Sequence, residues 1–327
     1  MKIVIPGGSG HLGRILCTAL RRRSHEVVVL SRRPSSVEGA RVVGWDGRSL
    51  GAWADEIDGA DVVINLAGRS VNCRYTRANL REMIDSRVLS TRVVGRAIER
   101  AGMPPRAWLQ MSTATIYAHR FDAPNDEATG IIGGEEADVP DYWRFSIDIA
   151  TGWERAQLDA RTPRTRKVAL RTAMVMDPAG GGTFDLLLRL TRLGLGGAVA
   201  GGRQYMSWIH DADFTRSVEF LIDQERLDGP VNLSAPAPLP QRDFMAALRA
   251  AWSAPIGLPA SGWMVELGAA VLGTDAELIL KSRRVVPGRL QEAGCPFECP
   301  EWPPAARELV ARWRAQREPA RAPRAAA

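Results

Sequence analysis

The chain has 327 residues, 45% of them apolar, with 43 Lys and Arg against 37 Asp and Glu and a formal net charge of +6. That length and apolar content suit one large domain, or two intimately joined ones, with a sizeable core. The apolar runs are too short to cross a bilayer and the basic residues are scattered arginines, so neither a membrane span nor a nucleic-acid binder is expected; the positive surplus suits an anionic nucleotide ligand.

The first apolar run, Lys2 to Ile5, reads as a strand, and no cleavable signal is expected ahead of it. It breaks into Gly7-Gly8-Ser9-Gly10-His11-Leu12-Gly13. Glycines three apart between a strand and a helix predict a phosphate cradle. Gly7 permits the tight turn, Gly10 lets backbone approach a pyrophosphate, and Gly13 lets the helix pack closely on the sheet. Leu12, Ile15, Leu16, Ala19 and Leu20 then repeat at helical spacing. The free N–H groups at the start of that helix, around His11 and Leu12, face the anion.

The second strand, Glu26 to Leu30, runs into Ser31-Arg32-Arg33-Pro34. A site for NAD carries Asp or Glu about 20 residues past the glycines, where it holds the ribose 2′-hydroxyl. No acid stands here. The Ser31 hydroxyl and the Arg32 and Arg33 guanidinium groups predict a 2′-phosphate, and so NADP(H). Trp45-Asp46 closes a third strand and borders the adenine. Asp61 to Leu66 is a fourth strand, ending in Asn65-Leu66-Ala67-Gly68, where Leu66, Ala67 and Gly68 let the cofactor lie close.

A helix over Leu80 to Arg100, a strand from Trp108 to Met111, a helix over Asp148 to Arg161 and a strand from Lys167 to Leu170 follow. Apolar strands alternating with helices predict an α/β fold, a Rossmann doubly wound parallel sheet covered on both faces. After Asp177 the texture changes. Gly180-Gly181-Gly182 and the stretch from Gly194 to Gly202 bracket a leucine-rich helix, Phe184 to Leu193. A helix from Asp211 to Asp223 and a strand from Val231 to Leu233 look like a return to the sheet. From Pro236, short helices carrying Phe244, Leu248, Trp252, Met264, Leu267 and Leu272 predict a small, mainly helical C-terminal substrate domain. The division expected is a cofactor-binding domain over 1–175, with 205–235 returning to it; a substrate side over 176–204 and 236–315; and a disordered tail over 316–327. Cys17, Cys73, Cys295 and Cys299 are few and scattered, with no metal-ligand set near them. They read as reduced thiols, which points to the cytoplasm.

Together these segments resemble the extended short-chain dehydrogenase/reductase superfamily of sugar-nucleotide epimerases and dehydratases, and most closely its atypical "epimerase family" branch. The resemblance is carried by Gly7 to Gly13, Ser31 to Pro34, Asn65 to Gly68, Asp85-Ser86-Arg87-Val88, Ser112 to Tyr117, Trp153-Glu154 and Leu193 to Gly197. Gly202 to His210, its most specific block, and Val231 to Pro236 complete it. It spans roughly residues 1 to 312. It implies a Rossmann domain with a small C-terminal domain over NADP(H), and it leaves the substrate undefined. Arg87 is placed beside the cofactor.

Most of the superfamily moves a proton with a Tyr-x-x-x-Lys pair, beside a Ser or Thr that orients the substrate oxygen. Thr113 keeps the orienting role. Counting back from Glu154, Ser146 stands at the tyrosine position and Ala150 at the lysine position. The only lysines are Lys2, Lys167 and Lys281, none four residues after a tyrosine. A serine hydroxyl is a far weaker acid than a phenol, and acid–base help is worth about 10²–10⁴-fold. Either another acid has moved in, or substrate chemistry suffices, or the site only binds.

The candidate acids are Tyr142, one turn before Ser146; Tyr117, just past the fifth strand; and His210, which otherwise caps the helix starting at Asp211. Arg74, Arg203, Gln204, Met206 and Trp208 are the expected substrate contacts. The reading is an NADP(H)-dependent oxidoreductase or epimerase-like enzyme acting on a small carbonyl, alcohol or nucleotide-linked substrate. The alternative is a non-catalytic NADP(H)-binding sensor or scaffold. A small-molecule partner is expected, no metal is, and a homodimer is left open.

Overall fold

A computed structural model describes residues 1–33, 36–71, 73–136, 139–140, 143–262, 264 and 277–317. Its strands are β1 (Lys2–Pro6), β2 (Glu26–Ser31), β3 (Arg41–Gly44), β4 (Val62–Asn65), β5 (Ala107–Thr113), β6 (Arg166–Thr172), β7 (Met174–Met176), β8 (Tyr205–Met206), β9 (Trp208–His210), β10 (Gly229–Leu233) and β11 (Leu239–Pro240). Its helices are α1 (His11–Arg22), α2 (Arg77–Arg100), α3 (Arg144–Leu158), α4 (Thr183–Arg192), α5 (Asp211–Asp223), α6 (Gln241–Trp252), α7 (Glu277–Leu280), α8 (Gly288–Glu292) and α9 (Trp302–Arg317).

The main sheet has seven strands in the order β3-β2-β1-β4-β5-β6-β10, and every pairing in it is parallel. The strand order reverses between β1 and β4, so the crevice that binds ligands in open α/β sheets lies at their C-terminal ends. Side-chain alternation sorts the two faces. Ile3, Ile5, Val27, Val29, Ile64 and Leu109 pack with Leu16 and Leu20 of α1 and Phe214, Val218 and Leu221 of α5. Val4, Val28, Leu30, Val63 and Trp108 pack with Val93, Val94, Ala97 and Ile98 of α2. Both faces are covered, which is why these strands read as continuous apolar runs.

A second core gathers Phe184 and Leu188 of α4, Phe244 and Leu248 of α6, Trp208, and Trp302, Leu309 and Trp313 of α9. Trp302 stacks on Phe244 with ring centroids 3.9 Å apart and donates its indole N–H to the Phe244 carbonyl at 2.8 Å.

Three expectations need correction. Helix α3 begins at Arg144 rather than Asp148, which puts Ser146 in its first turn. The third strand closes at Gly44, one residue before Trp45. The expected tail includes the end of α9, which runs to Arg317 because that side chain lies over the Trp313 ring at 4.2 Å and reaches Asp185. Residues 318–327, Leu267 and Leu272 lie outside the described residues. No helix among the described residues is long and apolar enough to cross a membrane.

Candidate functional site

The glycine turn is built as a cradle. Gly7 has φ +77°, and a Cβ there would sit 2.7 Å from the Ala67 backbone nitrogen. Gly13 presses on Gly8, whose carbonyl oxygen would be 2.2 Å from an added Cβ. Gly10 differs: its Cβ would meet only the Gly7 oxygen, at 3.4 Å. The backbone there faces space that is kept open. Gly10 is the N-cap of α1 and no side chain caps that helix, whose first turn has no acid. Its N–H groups are thus available to an anion. His11 turns aside, its Nε2 3.5 Å from Asp177 Oδ2 at the end of β7. Burial pushes the Asp177 carboxyl above its ordinary range.

The β2 terminus closes the same end of the cradle. Ser31 Oγ lies 3.0 Å from Ser9 Oγ and donates to the Arg33 carbonyl at 2.9 Å. Arg32 and Arg33 are exposed, and neither makes an ion pair among the described residues. Trp45, expected to border the adenine, is 8% exposed. Its ring is buried edge-on against Trp53, with centroids 5.4 Å apart. Asp46 accepts the Ser49 hydroxyl and the N–H groups of Ser49 and Arg48, the latter two at 2.9 and 2.8 Å, and these bonds, the hydroxyl first, hold its carboxyl near a pKa of about 2.

At the β4 terminus, Leu66 donates to the Pro6 carbonyl at 2.8 Å and Ala67 to Asn65 Oδ1 at 3.1 Å. Gly68 leaves room for Arg87, whose Cγ would be 3.2 Å from an added Cβ. Arg87 is buried over the Trp153 ring at 4.9 Å and donates to the Met83 carbonyl at 3.0 Å. It makes no ion pair among the described residues, and burial lowers its pKa to about 10.

The β5 terminus holds Thr113, the residue expected to orient the substrate oxygen. Thr113 Oγ1 donates to Thr115 Oγ1 at 3.1 Å and accepts the Thr115 N–H at 3.2 Å. The short turn after the strand, Ala114–Ile116, is held from the far side by the C-terminal segment. Lys281 Nζ donates to the Thr115 carbonyl at 3.0 Å, and Arg283 Nε donates to Thr115 Oγ1 at 3.3 Å. Ser146, at the superfamily's tyrosine position, donates its hydroxyl to Glu277 Oε2. Glu277 Oε1 is 3.6 Å from Lys281 Nζ. Tyr75 acts electrostatically on both Arg87 and Arg283 and packs edge-on with Phe145 at 6.4 Å.

Other expected contacts are spent on structure. The Tyr117 hydroxyl donates to Asn232 Oδ1 at 2.9 Å and accepts from Arg171 Nη1 at 3.0 Å in a buried network. Burial pushes its phenol up. His210 caps α5, its Nδ1 accepting the Ala212 N–H at 3.1 Å while Nε2 meets Glu308 Oε2 at 2.9 Å. Both ring nitrogens are therefore engaged. Trp208 is a correction: it is fully buried and packs edge-on against Trp302 at 4.9 Å, so it is core rather than a substrate contact. Gln204 is buried and donates to the carbonyls of Val199 and Ile279. Met206 pairs with Leu239 and packs on the second core. Arg203 is exposed over the Phe121 ring, and Arg74 is exposed ahead of α2. Tyr142 lies outside the described residues. Glu277, Lys281 and Arg283 were missed from sequence. One signal was present: Lys281 is one of three lysines among 43 basic residues, in a chain that otherwise uses arginine.

The model of the NAD dependent epimerase/dehydratase family matches residues 3–133, and that of a domain of unknown function (DUF1731) matches residues 260–309. The second match contains Glu277, Lys281 and Arg283. The epimerase family protein SDR39U1 of Homo sapiens is 31% identical over 317 residues, covering 95% of this chain and 100% of that protein. An epimerase family protein of Mycobacterium leprae is 31% identical over 297 residues, covering 90% of this chain and 91% of that one. The crystal structure of the human protein with NADPH superposes with a TM-score of 0.83 at 28% identity, covering 95% of this chain and 99% of that one. A nucleoside-diphosphate sugar epimerase from Corynebacterium glutamicum gives 0.73 at 25% identity, covering 96% of this chain and 61% of that one. This chain belongs to the NAD-dependent epimerase/dehydratase family, in its atypical extended short-chain dehydrogenase/reductase branch of epimerase family proteins.

Proposed function

We propose that the protein is an NADP(H)-dependent oxidoreductase or epimerase-like enzyme acting on a small carbonyl or alcohol, free or nucleotide-linked. One observation carries this: an open glycine cradle, an acid-free β2 terminus with two arginines that make no ion pair among the described residues, and Thr113 share one end of a parallel sheet at its switch point. The NADPH held by the human relative supports the cofactor. Gly7, Gly10 and Gly13 with the α1 N-terminus take the pyrophosphate, Ser31, Arg32 and Arg33 the 2′-phosphate, and Leu66, Ala67, Gly68 and Arg87 the nicotinamide half. When bound, the nicotinamide gives or takes a hydride. Thr113 orients the oxygen of the reacting carbon. Arg87, buried with no ion pair among the described residues, favours a substrate that brings a negative charge. The chain then divides into a cofactor-binding part, residues 1–175 with 205–235, and a substrate side that lies over it.

Fluorescence titration with NADPH and NADH tests the cofactor: NADPH binds tighter, and equal affinities overturn the reading. A panel of anionic carbonyl compounds, followed by NADPH absorbance, tests turnover. Thr113→Val lowers any rate found by at least about tenfold without weakening NADPH binding.

A further inference from the structure

The superfamily's proton-transfer pair is absent from α3, yet its place is not empty. Ser146 is too short to reach a substrate oxygen near Thr113 as a tyrosine would. Its hydroxyl instead holds the Glu277 carboxylate, brought in from 131 residues away. Four residues on, Lys281 stands beside that carboxylate and is anchored to the turn that follows Thr113. A carboxylate on α7 and the ammonium of the residue that follows the helix thus stand against Ser146 and the turn after β5, where the superfamily has a phenol and an ammonium on α3.

We infer that Glu277 and Lys281 replace the missing Tyr–Lys pair, with Lys281 exchanging the proton with the substrate oxygen that Thr113 orients. The inference rests on the reading of Thr113 given above. In the reducing direction the carbonyl carbon accepts a hydride from the reduced nicotinamide, which is left oxidised, and the oxygen accepts a proton from the Lys281 ammonium. The C=O becomes CH–OH and the ammonium becomes an amine. Water in the adjoining cavity returns the proton, and the Glu277 carboxylate favours the recharged ammonium. That cavity, about 60 Å³, is lined by Lys281 with Glu136, Trp143, Arg144 and Ile147, and it is roomy enough for water.

The electrostatics suit the task. Lys281 is almost wholly buried, and burial lowers its pKa to about 8 against the opposing pull of Glu277. The charged and titratable groups that face it are Glu277 on its own segment, Arg283, Glu136, Arg144 at the mouth of the cavity, and His119. An ammonium near neutrality is a far better proton donor than an ordinary lysine, and its amine is a competent base for the reverse step. A plain staple between the C-terminal segment and β5 explains the Thr115 bond alone. It gives no reason for a titrating cation to be buried there, where a neutral donor would serve.

Only three lysines are present, and Lys2 and Lys167 lie at or next to the opening ends of β1 and β6, at the opposite edge of the sheet from the cradle. Protein labelled with ¹³C at the lysine ε-carbon therefore gives three signals, two of them internal references. Lys281→Gln assigns the third; Lys281→Arg does so if the first variant fails to fold. The free protein is expected to show this signal titrating near pH 8. Bound NADP⁺ carries a positive ring and NADPH a neutral one, so the midpoint should lie about one pH unit lower with NADP⁺ than with NADPH. Lys2 and Lys167 should not move between the two. Glu277→Gln should lower the midpoint further. An ordinary lysine midpoint, or one identical in the two cofactor states while fluorescence reports tight NADPH binding, overturns the assignment of Lys281. Absence of NADPH binding instead overturns the proposed function on which it rests.

Discussion

The Arg171 guanidinium grips the Glu154 carboxylate with two parallel bonds, Nε to Oε1 at 2.9 Å and Nη2 to Oε2 at 2.8 Å, joining β6 to α3. The same carboxylate accepts the Ser112 hydroxyl of β5 at 2.6 Å, and the same guanidinium reaches Tyr117. Three elements behind the site are thereby set in fixed relation, and Thr113 is the next residue along.

Removing one partner of this pair leaves the other buried and uncompensated. Glu154→Ala is expected to destabilise the protein by about 3–5 kcal/mol, read as a shifted urea midpoint. Asp159→Ala, which breaks the solvent-exposed pair that Arg155 makes one turn away on α3, serves as the surface control and should cost less than about 1 kcal/mol. Equal losses would show that the Arg171 network is not the lock described.

The glycines of the cradle separate folding from binding. At Gly13 an added Cβ collides with Gly8, so Gly13→Ala should lower stability by about 1–3 kcal/mol through overpacking. Gly10→Val meets little in the protein itself and should melt within a few degrees of wild type. It should nevertheless fail to bind NADPH, because its branched side chain fills the space left for a pyrophosphate. A folded Gly10→Val protein with normal NADPH affinity would place the cradle elsewhere.

Arg32→Asp reverses the charge at the β2 terminus. A charge-assisted hydrogen bond contributes about 1.5–3 kcal/mol, so NADPH affinity should fall about 10- to 100-fold. NADH affinity should hold or improve, since the new acid can accept a ribose hydroxyl. Parallel fluorescence titrations give both constants, and an unchanged NADPH to NADH ratio would remove Arg32 from the site.

Lys281 also leaves a mark on stability. Below pH 8 it is charged in both the folded and the unfolded chain, and its burial opposes folding in full. Between about pH 8 and the ordinary lysine value near 10.4, the folded protein has shed the proton while the unfolded chain keeps it. The contribution of Lys281 to stability should therefore rise with pH across that window, by up to about 3 kcal/mol. Urea melts at pH 7.5 and 10 should show wild type gaining stability relative to Lys281→Met, since the raised thiols of Cys17 and Cys299 and the lowered Lys167 act on both proteins alike. Parallel curves for the two proteins would mean that Lys281 titrates normally.

The cofactor half of the site was legible because its chemistry is local. A strand, three glycines and a helix occupy residues 2–22, and the absence of an acid after β2 can be read without knowing what lies opposite. The substrate half was not. Trp208 and Gln204 sit in a motif that looks solvent-facing, yet Trp302 and the Val199 carbonyl, distant in sequence, take them into the interior. His210 and Tyr117 likewise have their polar atoms claimed by Glu308 and Asn232. The replacement for the lost pair was illegible for the same reason. Nothing near Ser146 in the chain announces Glu277, and the spacing rule that identifies a Tyr-x-x-x-Lys pair cannot see across 131 residues.

The segment from Lys281 to Val286 is threaded between two earlier loops. Ser282 bonds to His119 and Arg120, Arg283 to Tyr205, Val285 to Ser207, and Val286 to Asn125. Its consequence is one of time. A ribosome emits the chain from its N-terminus, so β1, the glycine turn and α1 emerge more than two hundred and fifty residues before the strand-like thread that completes the pocket. Contacts of such separation close late. The contacts that bring Glu277 and Lys281 to Ser146 and Thr115 are thus among the last the emerging chain can make, long after the glycine turn has left the ribosome.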